Sequence, residues 1–381
     1  MRRLVLSLVL LGTAGFTGSA QAPPQWNVDP LWPQPMPNHW ILGSVTGLAI
    51  DAGGRTWVAH RGAASMVLRT ENGLDATPKG AEHCCAAAPQ ILAFTLDGAL
   101  AANWGGPGVG YEWPQNLGGI AIDAGDHVWI TAAGLPPAPA GRAGRGGATP
   151  DPAPPEDAHV LKFTREGKFV LQIGKAGAPG DPASRTQLRR PSAVDVDSAA
   201  NEVYIADTGN RRIVVFDATT GAYKRHWGAY GEAPDTSVSL PAYTPGATAA
   251  RQFRHVSCVS IARSGEVYVC DRESNRIQVF RKDGTFVREV IVSPTTLGGG
   301  AAWDLAFSHD AVQQFVFVAN GQEQTVHVLR RDTLAPVTQI GTGGRWPGHF
   351  FGVGSVEVNT RGWVITGENL QGKRVQKFVM R

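Results

Sequence analysis

The sequence predicts an all-β chain folded as one six-bladed β-propeller of four-stranded antiparallel blades, and three observations predict it. The 381 residues include 47 Gly and 26 Pro, so turns cut the chain into short segments. Six of those segments repeat an apolar–small alternation that ends at a turn, and a second alternating run follows each. The repeats recur at a basic period of about 45 residues, the length of a four-stranded blade, with insertions in the first three units.

The first strands are Leu48 to Asp51, Ile120 to Asp123, Val194 to Asp197, Val259 to Ala262, Leu305 to Ser308 and Val356 to Asn359. Second strands follow at Thr56 to Val58, His127 to Ile130, Glu202 to Ile205, Glu266 to Val269, Phe315 to Val318 and Trp363 to Ile365. Third strands run Ile91 to Phe94, Val160 to Phe163, Ile213 to Phe216, Ile277 to Phe280, Val326 to Leu329 and Val375 to Phe378, and the first five units continue into a fourth. The sixth unit reaches Arg381 without one, whereas Gln25 to Val28 is an unassigned extended stretch. The mature N-terminus is therefore expected to supply the outer strand of the last blade and so close the ring.

Residues 1–22 read as a secretory signal peptide. Arg2 and Arg3 precede the apolar run Leu4 to Leu11, and Ala20-Gln21-Ala22 offers a small-residue cleavage site. Residues 23–381 are then one domain, secreted or periplasmic, with no segment long and apolar enough to span a bilayer. Charges nearly balance at +3 without a basic block, which excludes an electrostatic footprint for nucleic acid. The expected protein is a monomer. No phosphate loop, zinc-protease helix or serine-nucleophile elbow is present.

Two segments carry a family resemblance. Glu202-Val203-Tyr204-Ile205-Ala206-Asp207-Thr208-Gly209-Asn210-Arg211-Arg212-Ile213 and Val267-Tyr268-Val269-Cys270-Asp271-Arg272-Glu273-Ser274-Asn275-Arg276-Ile277 resemble NHL repeats. Each has a strand ending in Asp, an Asn or Gly turn that tolerates positive φ, and an Arg placed to pair with that Asp. Within that family the chain is similar to the propeller lyases that cleave peptidyl-α-hydroxyglycine to a peptide amide and glyoxylate. The resemblance rests on His60-Arg61-Gly62 and Asp271-Arg272-Glu273, and it implies that Arg61 and Arg272 sit in the substrate site, where they are expected to bind a carboxylate in one funnel; His60 and His255, at the same end of the propeller, are further candidate ligand-binding residues.

The resemblance also implies three metal-binding His residues, and the matching positions here are Gly118, Ser257 and Gly354. None offers an imidazole to zinc. Asp207-Thr208-Gly209-Asn210 lacks the family's turn Tyr, and Ser355 stands where the family has an Asp. The expectation is a lyase-related binding protein for a carboxylate-bearing small molecule or peptide end, without the zinc centre. An active lyase-like or hydrolytic metalloenzyme with a rearranged site, and a protein-interaction platform, are the alternatives.

Other candidates stand beside this reading. His60, His83, His255 and His349 fall at one end of the propeller and could hold a relocated metal such as zinc, or be surface and hydrogen-bonded histidines. Asp195, Asp304 and Glu357 share one parity on inner strands, where they could hold an axial cation such as calcium or be solvated or paired carboxylates. A turn centred on Ser264 sets Cys258 opposite Cys270 within disulfide reach. Cys84 and Cys85 are adjacent and could form a vicinal disulfide or a soft-metal pair. The insertions 61–90, 131–158 and 229–251 rise from the Arg61 and Arg272 end, and 134–158, rich in Pro, Gly and Ala, is expected to be disordered.

Overall fold

A computed structural model describes residues 24–66, 71–134 and 156–381. The expected signal peptide and all but the ends of the expected disordered loop fall outside these residues. Six four-stranded antiparallel sheets make up the chain, and among the described residues helical structure is limited to four short 3-10 turns. The inner strands are Val45–Ile50, Leu117–Ile122, Pro191–Asp197, Val256–Ile261, Asp304–Phe307 and Val353–Val358, in blades one to six. Second, third and outer strands follow in chain order within blades one to five.

The burial pattern follows from the layering. Second strands such as Glu202–Asp207 and Val267–Asp271 are buried along their whole length, because both faces of each sheet pack on neighbouring blades. The outer strand Leu100–Trp104 alternates instead, with every second residue exposed. Hydrophobic clusters therefore sit between blades, as where Tyr204, Val215 and Trp227 of blade three meet Val259, Val267 and Phe280 of blade four.

The sixth sheet is completed from the other end of the chain. Trp26–Asp29 pairs antiparallel with Val375–Met380, with Trp26 opposite Met380 and Asp29 opposite Lys377. The Lys377 ammonium lies 2.8 Å from the Asp29 carboxylate, and Trp26 packs edge-on to Phe317 at 5.3 Å. The sequence does not reveal one further element, the parallel pairing of Trp40–Ile41 with Ala86–Ala87 over blade one.

Cys258 and Cys270 are direct cross-strand partners, 4.9 Å apart at Cα, and are bonded. Cys84 and Cys85 form a vicinal disulfide. No described helix is long and apolar enough to cross a membrane.

Candidate functional site

The last residue of the second strand organises the face that bears the long loops. In blade three Asp207 accepts from Arg189 N at 2.7 Å and pairs with Arg212 Nε at 2.8 Å, both side chains being fully buried. In blade four Asp271 accepts from Arg254 N and His255 N, each at 2.9 Å, and pairs with Arg276 at 2.9 Å. Glu368 holds the place in blade six, accepting from Phe351 N and pairing with Arg374. The carboxylate collects the amides of the incoming loop, and the Arg returns the charge. The left-handed position of the following turn is Asn275 in blade four but Arg211 in blade three, since Asn210 spends its side chain on Asp207.

Blade one fills this place with His60, expected from the sequence as a ligand-binding residue, and its ring is engaged by backbone groups. Its Nδ1 accepts from Gly43 N and Gly62 N, each at 3.0 Å, and its Nε2 donates to Pro89 O at 2.8 Å. Two accepted bonds fix the neutral tautomer, and burial pushes the imidazole pKa down to about 4. No nitrogen is left for a ligand or a metal. His60 instead staples three segments, and the next residue is Arg61.

Arg61 is partly buried in the wall of a cavity of about 470 Å³ above blades one and two, with Trp40, Ala63, Ala88, Pro89 and Gln90. Its Nε is buried without a hydrogen-bond partner, and it has no carboxylate partner among the described residues. Burial alone holds its pKa below the usual guanidinium value. Arg272 lies at blade four, stacked 4.4 Å from the centre of the Trp303 ring, and its Nε is likewise buried and unpartnered. Glu273 lies 3.5 Å from Arg272 and 3.3 Å from His255 Nδ1, so one carboxylate serves both. Burial lowers the His255 pKa, and Glu273 partly opposes that effect. Arg272 does not line the Arg61 cavity.

The axial channel is a cavity of about 280 Å³ along the inner strands. At its mouth, β-bulges in five blades set aside Thr46, Gly118-Gly119, Ser192, Ser257 and Gly354. Three of them, Gly118, Ser257 and Gly354, are the positions where the resemblance implies zinc ligands, and the residues present do not fit the metal. A side chain at Gly118 would collide with Thr131 and lie 2.9 Å from Ala133 Cβ. The Ser257 hydroxyl is committed to Ala302 O at 2.9 Å. The Trp303 ring lies 3.7 Å from where a Gly354 Cβ would be. Trp303 is the residue that sequence reasoning missed, although alignment of the inner strands shows one bulky aromatic among Thr, Ser and Gly.

Asp195, Asp304 and Glu357 all line the channel, but the axial-cation assignment does not hold as a ligand set. Among the described residues no three His, Cys, Asp or Glu side chains are grouped to hold a metal, which applies equally to His60, His83, His255 and His349. Two of the acids clip neighbouring blades together. Asp195 accepts from its own neighbour Val196 N and from Ile261 N of the next blade, at 2.8 and 2.7 Å. Asp304 repeats this with Leu305 N and Val356 N, at 2.9 and 3.0 Å. Burial raises Asp195 to about 6 and Asp304 to about 7, and burial plus both neighbouring carboxylates raises Glu357 well above its usual value.

Residues 188–216 and 253–280 match the NHL repeat, and they span the buried Asp–Arg pairs of blades three and four. The chain is a six-bladed β-propeller with NHL repeats in blades three and four. Among its relatives, NHL repeat-containing protein 3 of Homo sapiens is 25% identical over 258 residues, covering 66% of this chain and 60% of that protein. Peptidyl-glycine alpha-amidating monooxygenase B of Xenopus laevis is 27% identical over 258 residues, covering 65% of this chain and 24% of that protein. The NHL propeller thus spans less than two thirds of the first relative and about a quarter of the second. A solved streptogramin B lyase structure aligns with 94% of this chain and 98% of its own at 10% identity and a TM-score of 0.49, too distant to bear on function.

Proposed function

We propose that this NHL propeller is an exported protein that binds a carboxylate-bearing small molecule or peptide end on the face bearing Arg61 and Arg272, without zinc chemistry. The observation that carries the reading is a pair of guanidinium groups on that face, each with a buried Nε–H that no protein group satisfies. A buried donor left unpaired costs about 1–3 kcal/mol, and an incoming carboxylate recovers it through paired hydrogen bonds. Arg61 adds a charge that no described acid balances. The disulfides, the signal-peptide pattern and the lack of a described membrane-crossing helix support export.

Calorimetric titration with acetate, N-acetylglycine and 3-phenylpropanoate tests the proposal. At about 1.5–3 kcal/mol for each charged hydrogen-bonded contact, replacing by Ala the arginine that holds the ligand, Arg61 or Arg272, should weaken binding about ten- to over a hundredfold. Unchanged affinity in both variants would remove it.

One observation favours a second reading, an active carbon–nitrogen lyase related to the amidating enzymes. His255 is held neutral beside Glu273, the geometry of a carboxylate-oriented general base, and Arg272 adjoins it. Chelator-resistant turnover of a peptidyl-α-hydroxyglycine that is lost in His255→Ala would establish that reading.

A further inference from the structure

We infer that the Arg61 cavity selects a monocarboxylate carried on one compact apolar group, and discriminates against dicarboxylates and zwitterionic amino acids. This rests on the carboxylate reading above and adds the ligand class.

The cavity is separate from the axial channel. It lies above blades one and two, whereas the three carboxylates line the channel and share none of its wall. Its volume of about 470 Å³ falls within the range of small-ligand sites. Arg61 is the single charged side chain among its described lining residues, and no acid there could pair with a ligand ammonium. Nor does a second cation stand in the described wall to pair with another ligand carboxylate. A dicarboxylate would bring a second charge that finds no partner in the described wall, and an amino acid would bring its ammonium beside the Arg61 guanidinium.

Much of the remaining wall is apolar, and Gln90 and Gln115 are the uncharged polar side chains of its described lining. Trp40 supplies a flat indole, held by the pairing of Trp40–Ile41 with Ala86–Ala87, while Ala63, Ala88 and Pro89 supply methyl and methylene surface. Gln90 accepts from Trp113 Nε1 at 2.6 Å through its amide oxygen, so its NH2 group remains a donor, suited to an acceptor such as a second carboxylate oxygen.

The cavity is also held open by its backbone. Gly62 has φ of +52°, and a Cβ there would lie 3.1 Å from Gln90 Cγ. Arg61 N donates to Ser44 O at 3.0 Å, and His60 ties Gly62 on one wall to Pro89 on the other. His60 is thus a positioning residue for a site preorganised before any ligand arrives.

Titration of the full mature chain with 3-phenylpropanoate, 3-phenylpropanamide, phenylalanine and succinate tests the inference. The expected result is binding of 3-phenylpropanoate at least tenfold tighter than any of the other three, a further loss of at least tenfold in Arg61→Ala, and partial recovery in Arg61→Lys. Ala64→Asp, at an exposed position of the cavity rim, should also lower 3-phenylpropanoate affinity at least tenfold, by supplying Arg61 with an internal partner, at unchanged melting temperature. Tighter binding of succinate or phenylalanine, or carboxylate binding lost in Arg272→Ala but unchanged in Arg61→Ala, would overturn the ligand class and leave the carboxylate reading standing. Binding of none of the three carboxylates would overturn both.

Discussion

The His60 Nε2–H donates to the Pro89 carbonyl at 2.8 Å, across 29 residues of chain and through the buried interior of blade one. This bond joins the second strand to the strap that walls the Arg61 cavity, and its failure should be measurable. His60→Ala leaves Gly43 N, Gly62 N and Pro89 O without their partner, and should cost about 2–5 kcal/mol of stability by calorimetry. A loss below about 0.5 kcal/mol would contradict the staple.

The same residue sets a pH dependence. Its folded-state pKa of about 4 lies below the unfolded value of 6.5, so folding favours the neutral ring. The stabilisation is fully present above pH 6.5 and is lost as pH falls through about 4, a change of about 3 kcal/mol. His60→Gln should flatten the acid limb of a stability-against-pH curve over that window, and a limb unchanged in shape would argue against it.

Asp304 acts in the opposite sense. Its folded pKa of about 7 is above the unfolded value, so its contribution is fully present at low pH and is lost as pH rises through 7. Asp304→Asn removes the titration. The difference in melting temperature between variant and wild type should therefore shift in the variant's favour between pH 5.5 and pH 8, and a constant difference would exclude the effect.

Ring closure rests on Trp26–Asp29. Deleting residues 23–31 removes that strand and the Asp29–Lys377 ion pair, and exposes the edge of Val375–Met380. The melting temperature should fall by several degrees in scanning calorimetry. Equal melting would show that the ring does not need the strand.

Peptide mapping without reduction should recover Cys258 and Cys270 in one linked fragment, and Cys258→Ala/Cys270→Ala should lose about 2–3 kcal/mol for a loop of this length. Free thiols at both positions would contradict the pairing.

Local, repeated features were legible in the sequence. The strand alternation gives the blades, and the Ser264 turn places Cys258 opposite Cys270, because both depend on residues close in the chain. The Asp207–Arg212 and Asp271–Arg276 pairs were legible for the same reason. The backbone partners of His60 were not legible because Gly43, Gly62 and Pro89 come from three segments that no periodicity connects. The blade-to-blade bonds of Asp195 and Asp304 were not legible because they reach backbone of the neighbouring blade, at Ile261 and Val356. The placement of Arg61 and Arg272 in one shared funnel also went beyond the sequence, since loop geometry and not spacing gives Arg61 its own cavity and sets Arg272 on Trp303.

The central claim, carboxylate recognition by arginine without zinc, is tested most directly by one titration. 3-Phenylpropanoate is added to the purified mature protein in the presence of a chelator, alongside Arg61→Ala and Arg272→Ala. The expected result is saturable one-site binding that is indifferent to the chelator and at least tenfold weaker in Arg61→Ala. Binding that appears only when zinc is restored, or that persists unchanged in both arginine variants, would contradict it.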